Sequence, residues 1–261
     1  IEQCYEGLEA ADLNIASGDI TIHASDDCLN SANSDLSGYA FTLNISGGTL
    51  VMDTTGGDGI DSNGSLTISG GTVIVWTANT ADNQPLDADG TISITGGTVL
   101  AAGGSAGMGM NLSVGQPYVI FGSGSFGGFG GGFPGQSGSQ SSVSIKAGST
   151  VEIKDADGST VYSGTALCQA GYVVFSSADL TSGSAYTLYV DGTSAAEATA
   201  STDAMSEGGP GQNGQFTPPD GSDGTRPTPP SGENGTPPTP PDGGNGGQTG
   251  QGGPGGQNGQ P

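Results

Sequence analysis

One pattern recurs four times near the start of the chain: LNIASGDI at 13–20, LNISGGTL at 43–50, LTISGGTV at 66–73 and ISITGGTV at 92–99. Each copy is a short alternating strand, a glycine corner and a second alternating strand. Alternation with period two marks β-structure with one buried face. The corner glycines Gly18, Gly48, Gly71 and Gly97 are 30, 23 and 26 residues apart. A β-turn-β unit of this length cannot bury its apolar face alone, but stacked copies can, as coils of a solenoid. The repeat therefore predicts an all-β fold, a right-handed parallel β-helix over 1–120, with loop insertions accounting for the unequal periods.

A second register lies between the strand pairs. It reads EGLE at 6–9, DCLN at 27–30, DGID at 58–61 and QPLD at 84–87. In each copy the aliphatic residue should point inward and stack on its counterparts. The flanking polar residues then form two outward ladders, Glu6/Asp27/Asp58/Gln84 and Glu9/Asn30/Asp61/Asp87. Stacked rungs sit about 4.8 Å apart, and two bare carboxylates at that separation repel by about 3–4 kcal/mol at an effective dielectric near 20. Compensation by basic side chains is not available, because the whole chain has three Lys and Arg against 26 Asp and Glu. A hard divalent ion with oxygen ligands fits instead, and calcium accepts six to eight oxygens in flexible geometry. The predicted ligands are Asp26, Asp27, Asn30, Asp58, Asp61, Asp87 and Asp89, with Asp82 beside the ladders.

Beyond residue 102 the repeat fades. A Gly/Ser/Phe-rich loop is expected over 121–140. Short strands and turns over 141–192 predict a small antiparallel β module capping the helix, where it would protect the open edge of the solenoid. Twelve of the 15 prolines follow Met205. The Gly/Pro-rich stretch 193–261 is expected to be a disordered linker or stalk, since it cannot bury enough apolar surface to offset its conformational entropy.

The formal net charge is −23. Nucleic acid is excluded as a partner, because phosphate binding needs clustered Lys and Arg. No apolar run of about 18 residues exists to cross a membrane. The scarcity of Lys and the Gly/Pro-rich tail suggest secretion, and so an extracellular or cell-surface location. The chain opens on Ile, as expected for a mature or trimmed protein. Cys4, Cys28 and Cys168 allow at most one disulfide and read as small thiols.

The stretches YEGLE at 5–9, SDD at 25–27, GDGIDSNG at 57–64 and LDADG at 86–90, the repeated Ser/Thr-Gly-Gly-Thr and the closing YTLYV at 186–190 resemble a bacterial, clostridial-type family of extracellular carbohydrate-binding proteins. Its members are pectate-lyase-like β-helices that carry calcium and bind cellulose and acidic sugars. The resemblance spans about 1–192 and implies calcium-binding acids at Asp26, Asp27, Asp58, Asp61, Asp87 and Asp89. Two departures stand out. Cys28 occupies a position where such motifs usually have Gly, and the chain opens on a segment expected to follow earlier coils.

A β-helical fold also hosts pectin-active lyases and hydrolases, so catalysis is weighed on residues. The only Arg, Arg226, lies in the tail. Lys146 and Lys154 lie outside the repeats, which leaves no base to remove a sugar proton. His23 stands beside Asp26 and Asp27 without the flanking motifs of polygalacturonases. The expectation is therefore a non-catalytic protein binding cellulose or a polygalacturonate-like polysaccharide. Trp76, on an outward register with His23 and Asp53, is the expected stacking platform, with Tyr5 and Tyr39 as further aromatic candidates. Bound calcium would hold a uronate carboxylate. A structural adhesin or surface-filament subunit, self-associating end to end through an open first coil, is the alternative, and a pectin-active enzyme the second.

Overall fold

The computed structural model describes residues 1–33, 36–78, 83–104, 111–122 and 143–205, all within one compact unit, Ile1–Gln212. The Gly/Ser/Phe-rich loop expected over 121–140 lies outside the described residues but for Phe121, which ends a strand, and Gly122; the tail beyond 205 lies outside them too. No α-helix occurs among the described residues. The first coil carries β1 (Leu8–Glu9), β2 (Asp12–Ile15) and β3 (Asp19–Ala24). The next carries β4 (Leu29–Ser31), β5 (Thr42–Ile45) and β6 (Thr49–Thr54). The third opens with β7 (Ile60–Ser62), and in it and the one that follows single strands run through the glycine corner: β8 (Ser65–Thr77) and β9 (Ile92–Gly103). The parallel pairing β2-β5-β8-β9, β3-β6-β8 and β1-β4-β7 makes this a β-solenoid of about three turns.

The register matches the repeat residue for residue. Leu13, Leu43, Leu66, Ile92 and Leu112 form one inward column, and Ile15, Ile45, Ile68 and Ile94 the next. Beyond the corner, Leu50, Val73 and Val99 stack above Ile20, and Met52, Val75 and Ala101 above Ile22. These columns form one continuous core. The corner glycines all have positive φ, and a Cβ at Gly71 would lie 2.6 Å from the Gly48 carbonyl oxygen of the coil beside it. Only glycine lets the coils approach this closely at that conformation.

The chain then forms β10 (Leu112–Val114), β11 (Tyr118–Phe121), β12 (Thr150–Asp155), β13 (Thr160–Thr165), β14 (Tyr172–Ser176), β15 (Ala185–Val190) and β16 (Thr193–Thr199). The expected antiparallel module is present, but it does more than sit on an end. β14 pairs antiparallel with β9, and β11 with β14, so the module's own strand closes the solenoid's parallel sheet. β10 extends the parallel sheet from β9, and the remaining four strands form the sheet β13-β12-β15-β16. Its core side chains, among them Val151, Ile153, Tyr162 and Leu188, share one cluster with Trp76, Leu100, Ala102, Val173 and Phe175. This explains the unbroken apolar runs in β11 and β14. Tyr118, Ile120, Tyr172 and Val174 fill the solenoid core, while Val119, Phe121, Val173 and Phe175 fill the second core. A strand covered on both faces has no reason to alternate.

Order also continues past residue 192, where a linker was expected to start. β16 pairs with β15 along its length, Ala196 and Ala200 are buried, and Met205 exchanges both backbone hydrogen bonds with Leu112. The alanines and threonines of 193–199 carry little hydrophobic signal, yet they complete a sheet whose partner strand is already buried. The glycine corners give a direct test of the stacking. Gly71→Ala should destabilise the chain by about 2–3 kcal/mol, whereas Gly183→Ala, at the same φ with open space around it, should cost only about 1 kcal/mol. Equal shifts of the urea midpoint for the two variants would contradict the close coil contact.

Candidate cation site

The corner leading from β3, β6 and β8 toward the β1-β4-β7 face stacks with the expected register. The backbone N–H groups of Gly7, Cys28 and Gly59 donate to the carbonyls of Asp27, Asp58 and Gln84, which aligns Glu6/Asp27/Asp58/Gln84. Glu9, Asn30 and Asp61 pair in turn, and the Asp87 N–H donates to the Ile60 carbonyl at 2.8 Å, placing Asp87 over Asp61. Both polar ladders are thus formed.

Each ladder acid is tied to the coil beside it. Asp27 Oδ1 accepts the Asp58 N–H at 2.7 Å, and Asp58 Oδ1 accepts the Gln84 N–H at 2.5 Å. Those bonds use one oxygen of each carboxylate. Carboxylate oxygens of Asp58, Asp61 and Asp87 all lie within 4.8 Å of one another. Burial, with the neighbouring acids Asp87, Asp27 and Asp61 adding to it, pushes Asp58 up to about 7. Burial followed by Asp27, Asp87 and Asp89 does the same to Asp61, also to about 7. Burial raises Asp87 and Asp27 as well, and it raises Glu6 together with Glu9 and Asp27. This is the expected signature of half-buried like charges held close together.

Several oxygens nearby lack partners. Asn30, 8% exposed, donates its amide to Glu6 and leaves Oδ1 unpaired, and Glu6 Oε2 is unpaired too. Gln84 is 1% exposed and its Oε1 has no partner. Buried acceptors without donors cost about 1–3 kcal/mol each. An all-oxygen set of closely spaced carboxylates and unpaired amide oxygens suits a hard divalent cation.

Of the residues expected to bind a cation, Asp58, Asp61 and Asp87 converge. Asp27 joins them through its bond to Asp58, and Asn30 through its place beneath Asp61. Asp26 sits beside Asp27, its Oδ1 and that of Asp27 both lying within 2.5 Å of where a Gly57 Cβ would fall, and it also accepts the hydroxyl of Tyr5. Asp89 is exposed but close enough to act on Asp61 and Asp87. Asp82 lies outside the described residues.

The aromatic candidates divide. Trp76 occupies the outward register with Asp53, as the repeat implies. It is nonetheless 0% exposed, because the β13-β12-β15-β16 sheet lies over it and even its indole N–H is sealed without a partner. The expectation of an exposed stacking platform at Trp76 is therefore corrected. Tyr5 and Tyr39 are 71% and 53% exposed. His23 and Asp53 form a hydrogen-bonded pair beside a cavity of about 540 Å³ whose lining, including Glu2, Cys4 and Thr55, contains none of the ladder acids. All three cysteines are free. Tyr172 belongs to the acidic site's surroundings and escaped the sequence reading, since nothing in the repeat connects β14 to this corner.

No family model, curated protein or solved structure matches the chain.

The raised acids fix the sign of a pH effect. Without a divalent cation, Asp58 and Asp61 ionise near pH 7 when folded and near pH 4 when unfolded. Between those values the folded chain holds more protons, so its stability falls as pH rises and levels off above about 7. In chelator, the melting temperature should be higher at pH 5 than at pH 7.5, and Asp61→Asn should shrink the difference. A melting temperature that climbs across that interval would contradict the burial of these charges.

Proposed function

We propose that this chain is a non-catalytic, calcium-dependent carbohydrate-binding protein acting outside the cell, at or near the bacterial surface. The observation that carries the reading is the convergence of Asp58, Asp61 and Asp87 beside unpaired buried oxygens of Asn30 and Gln84. Calcium would be held by these carboxylates, with Asp27 supporting Asp58. When bound, it supplies fixed positive charge on an otherwise acidic surface. That charge is what an acidic polysaccharide needs in order to approach a chain of net charge −23. The resemblance of the ladder motifs to clostridial-type binding proteins supports the same ligand class.

For neutral glucans the support shifts from Trp76 to Tyr5. Tyr5 is exposed, its hydroxyl is anchored on Asp26, and its ring stands beside the first rung of the ladders. The non-catalytic reading rests on where the bases are. Lys154 pairs with Glu152 and lies over the Tyr189 ring, and His23 pairs with Asp53. One observation favours hydrolysis as a second reading: two adjacent carboxyl groups that titrate near neutrality are what a glycosidase acid requires.

Titration with oligogalacturonides and cello-oligomers, in calcium and in chelator, separates these readings. Uronate binding should vanish in chelator. Tyr5→Ala should weaken cello-oligomer binding by about tenfold, roughly one stacking contact, while Trp76→Phe leaves it unchanged. Release of reducing ends or of an unsaturated uronate, abolished by Asp58→Asn, would overturn the non-catalytic reading. Binding that ignores both calcium and Tyr5 would overturn the assignment of the surface.

A further inference from the structure

Tyr172 enters β14 directly opposite Gly103, the residue after Ala102, which pairs with Trp76. The ring fills space that no side chain at position 103 could share. A Cβ on Gly103 would fall 3.1 Å from Tyr172 Cε1 and 2.9 Å from Pro85 Cδ. Pro85 is the corner residue between Gln84 and Leu86, so the ring lies against the acidic corner of the third turn. Its hydroxyl is fully buried and has no hydrogen-bond partner. Asp58 and Asp87 are the charges that act on it. Gln84 is in the same condition. Its backbone is used on both sides, the N–H by Asp58 Oδ1 and the carbonyl by the Thr77 hydroxyl at 3.2 Å, while its buried Oε1 is unpaired.

Two buried polar groups at one end of a carboxylate cluster would each cost stability if left alone. They also lie where the ladder runs out of acids, for Gln84 occupies the position that Asp27 and Asp58 hold in the preceding coils. We propose that the cation site is shared between solenoid and cap: Gln84 Oε1 supplies a neutral oxygen, and Tyr172 is a positioning residue whose hydroxyl, unpaired here, donates to an Asp58 or Asp87 carboxylate oxygen once the ion is bound. A bound divalent ion then fastens β14, and with it the antiparallel module, to the third turn. This rests on the reading of Asp58, Asp61 and Asp87 as a cation site. It goes beyond that reading in making the ion a tie between two packing units that are otherwise joined by strand pairing and apolar contact.

The test uses the full chain, calcium chloride as the probe, and the variants Tyr172→Phe and Gln84→Leu. Calorimetry gives the calcium dissociation constant, melting in chelator gives the stability of the ion-free fold, and amide exchange reports on β14. Loss of one charge-assisted oxygen contact weakens binding by about tenfold or more. Tyr172→Phe keeps the ring and removes an unpaired buried hydroxyl, so melting in chelator should hold or rise while calcium affinity falls about tenfold. Calcium should slow amide exchange in β14 of the wild-type chain but much less in Tyr172→Phe. A merely structural tyrosine would lower melting in chelator and leave affinity alone. Affinities within twofold of wild type for both variants, with no calcium effect on β14 exchange, would overturn the proposal while leaving the cation site standing. A wild-type chain that binds no calcium would overturn both.

Discussion

Carboxylates one rung apart repel, and a solenoid cannot move them apart. The rung spacing is set by backbone hydrogen bonds that every coil shares. The aliphatic columns set the register, so the acids of this corner have nowhere to go. Asp58 and Asp61 sit half-buried with Asp27 and Asp87 as neighbours, and burial together with like charge lifts both toward neutrality. The fold therefore holds a built-in demand for positive charge at one corner. That demand is answered by protons at low pH and, on the reading proposed above, by a divalent cation at neutral pH. The unpaired oxygens of Asn30 and Gln84 belong to the same demand, because they are buried acceptors without a donor of their own.

The second constraint is the outer face of β6, β8 and β9. A solenoid whose outward residues were all polar would need no cover. Here Ile74, Trp76, Leu100 and Ala102 make an apolar outer patch, and the antiparallel sheet buries it. Closing the parallel sheet with β14 and covering its face with β12, β13, β15 and β16 are a single arrangement, since β14 feeds both cores. The cap thereby removes Trp76 from solvent and brings Tyr172 to the acidic corner.

How far the sequence could be read follows from the range of the contacts involved. The inward columns, the glycine corners and both polar ladders were legible because each residue's environment repeats one coil later. A periodic chain thus states its own contacts. The convergence of Asp58, Asp61 and Asp87 follows from those ladders. The burial of Trp76 was not legible: its register is outward, and the sheet that covers it is remote in sequence and carries no period. The order of 193–205 was hidden for a related reason, since an Ala/Thr strand such as β16 acquires its structure from β15 and not from its own hydrophobicity. Tyr172 could be read as a strand residue but not as a neighbour of Asp58, because that contact depends on how the cap closes the sheet.

The link from fold to function runs through the charge state of a few acids. Binding a divalent ion must displace the protons that these acids hold near neutrality in chelator. The direct measurement is a calorimetric calcium titration of metal-free protein at pH 6.5, repeated in buffers of different ionisation enthalpy so that proton exchange is read from the difference. Saturable binding with net release of protons, abolished by Asp58→Asn with Asp61→Asn, is the predicted result. Binding without proton release, or no binding heat in either buffer, would contradict the claim that this corner is a cation site made of stacked, half-buried acids.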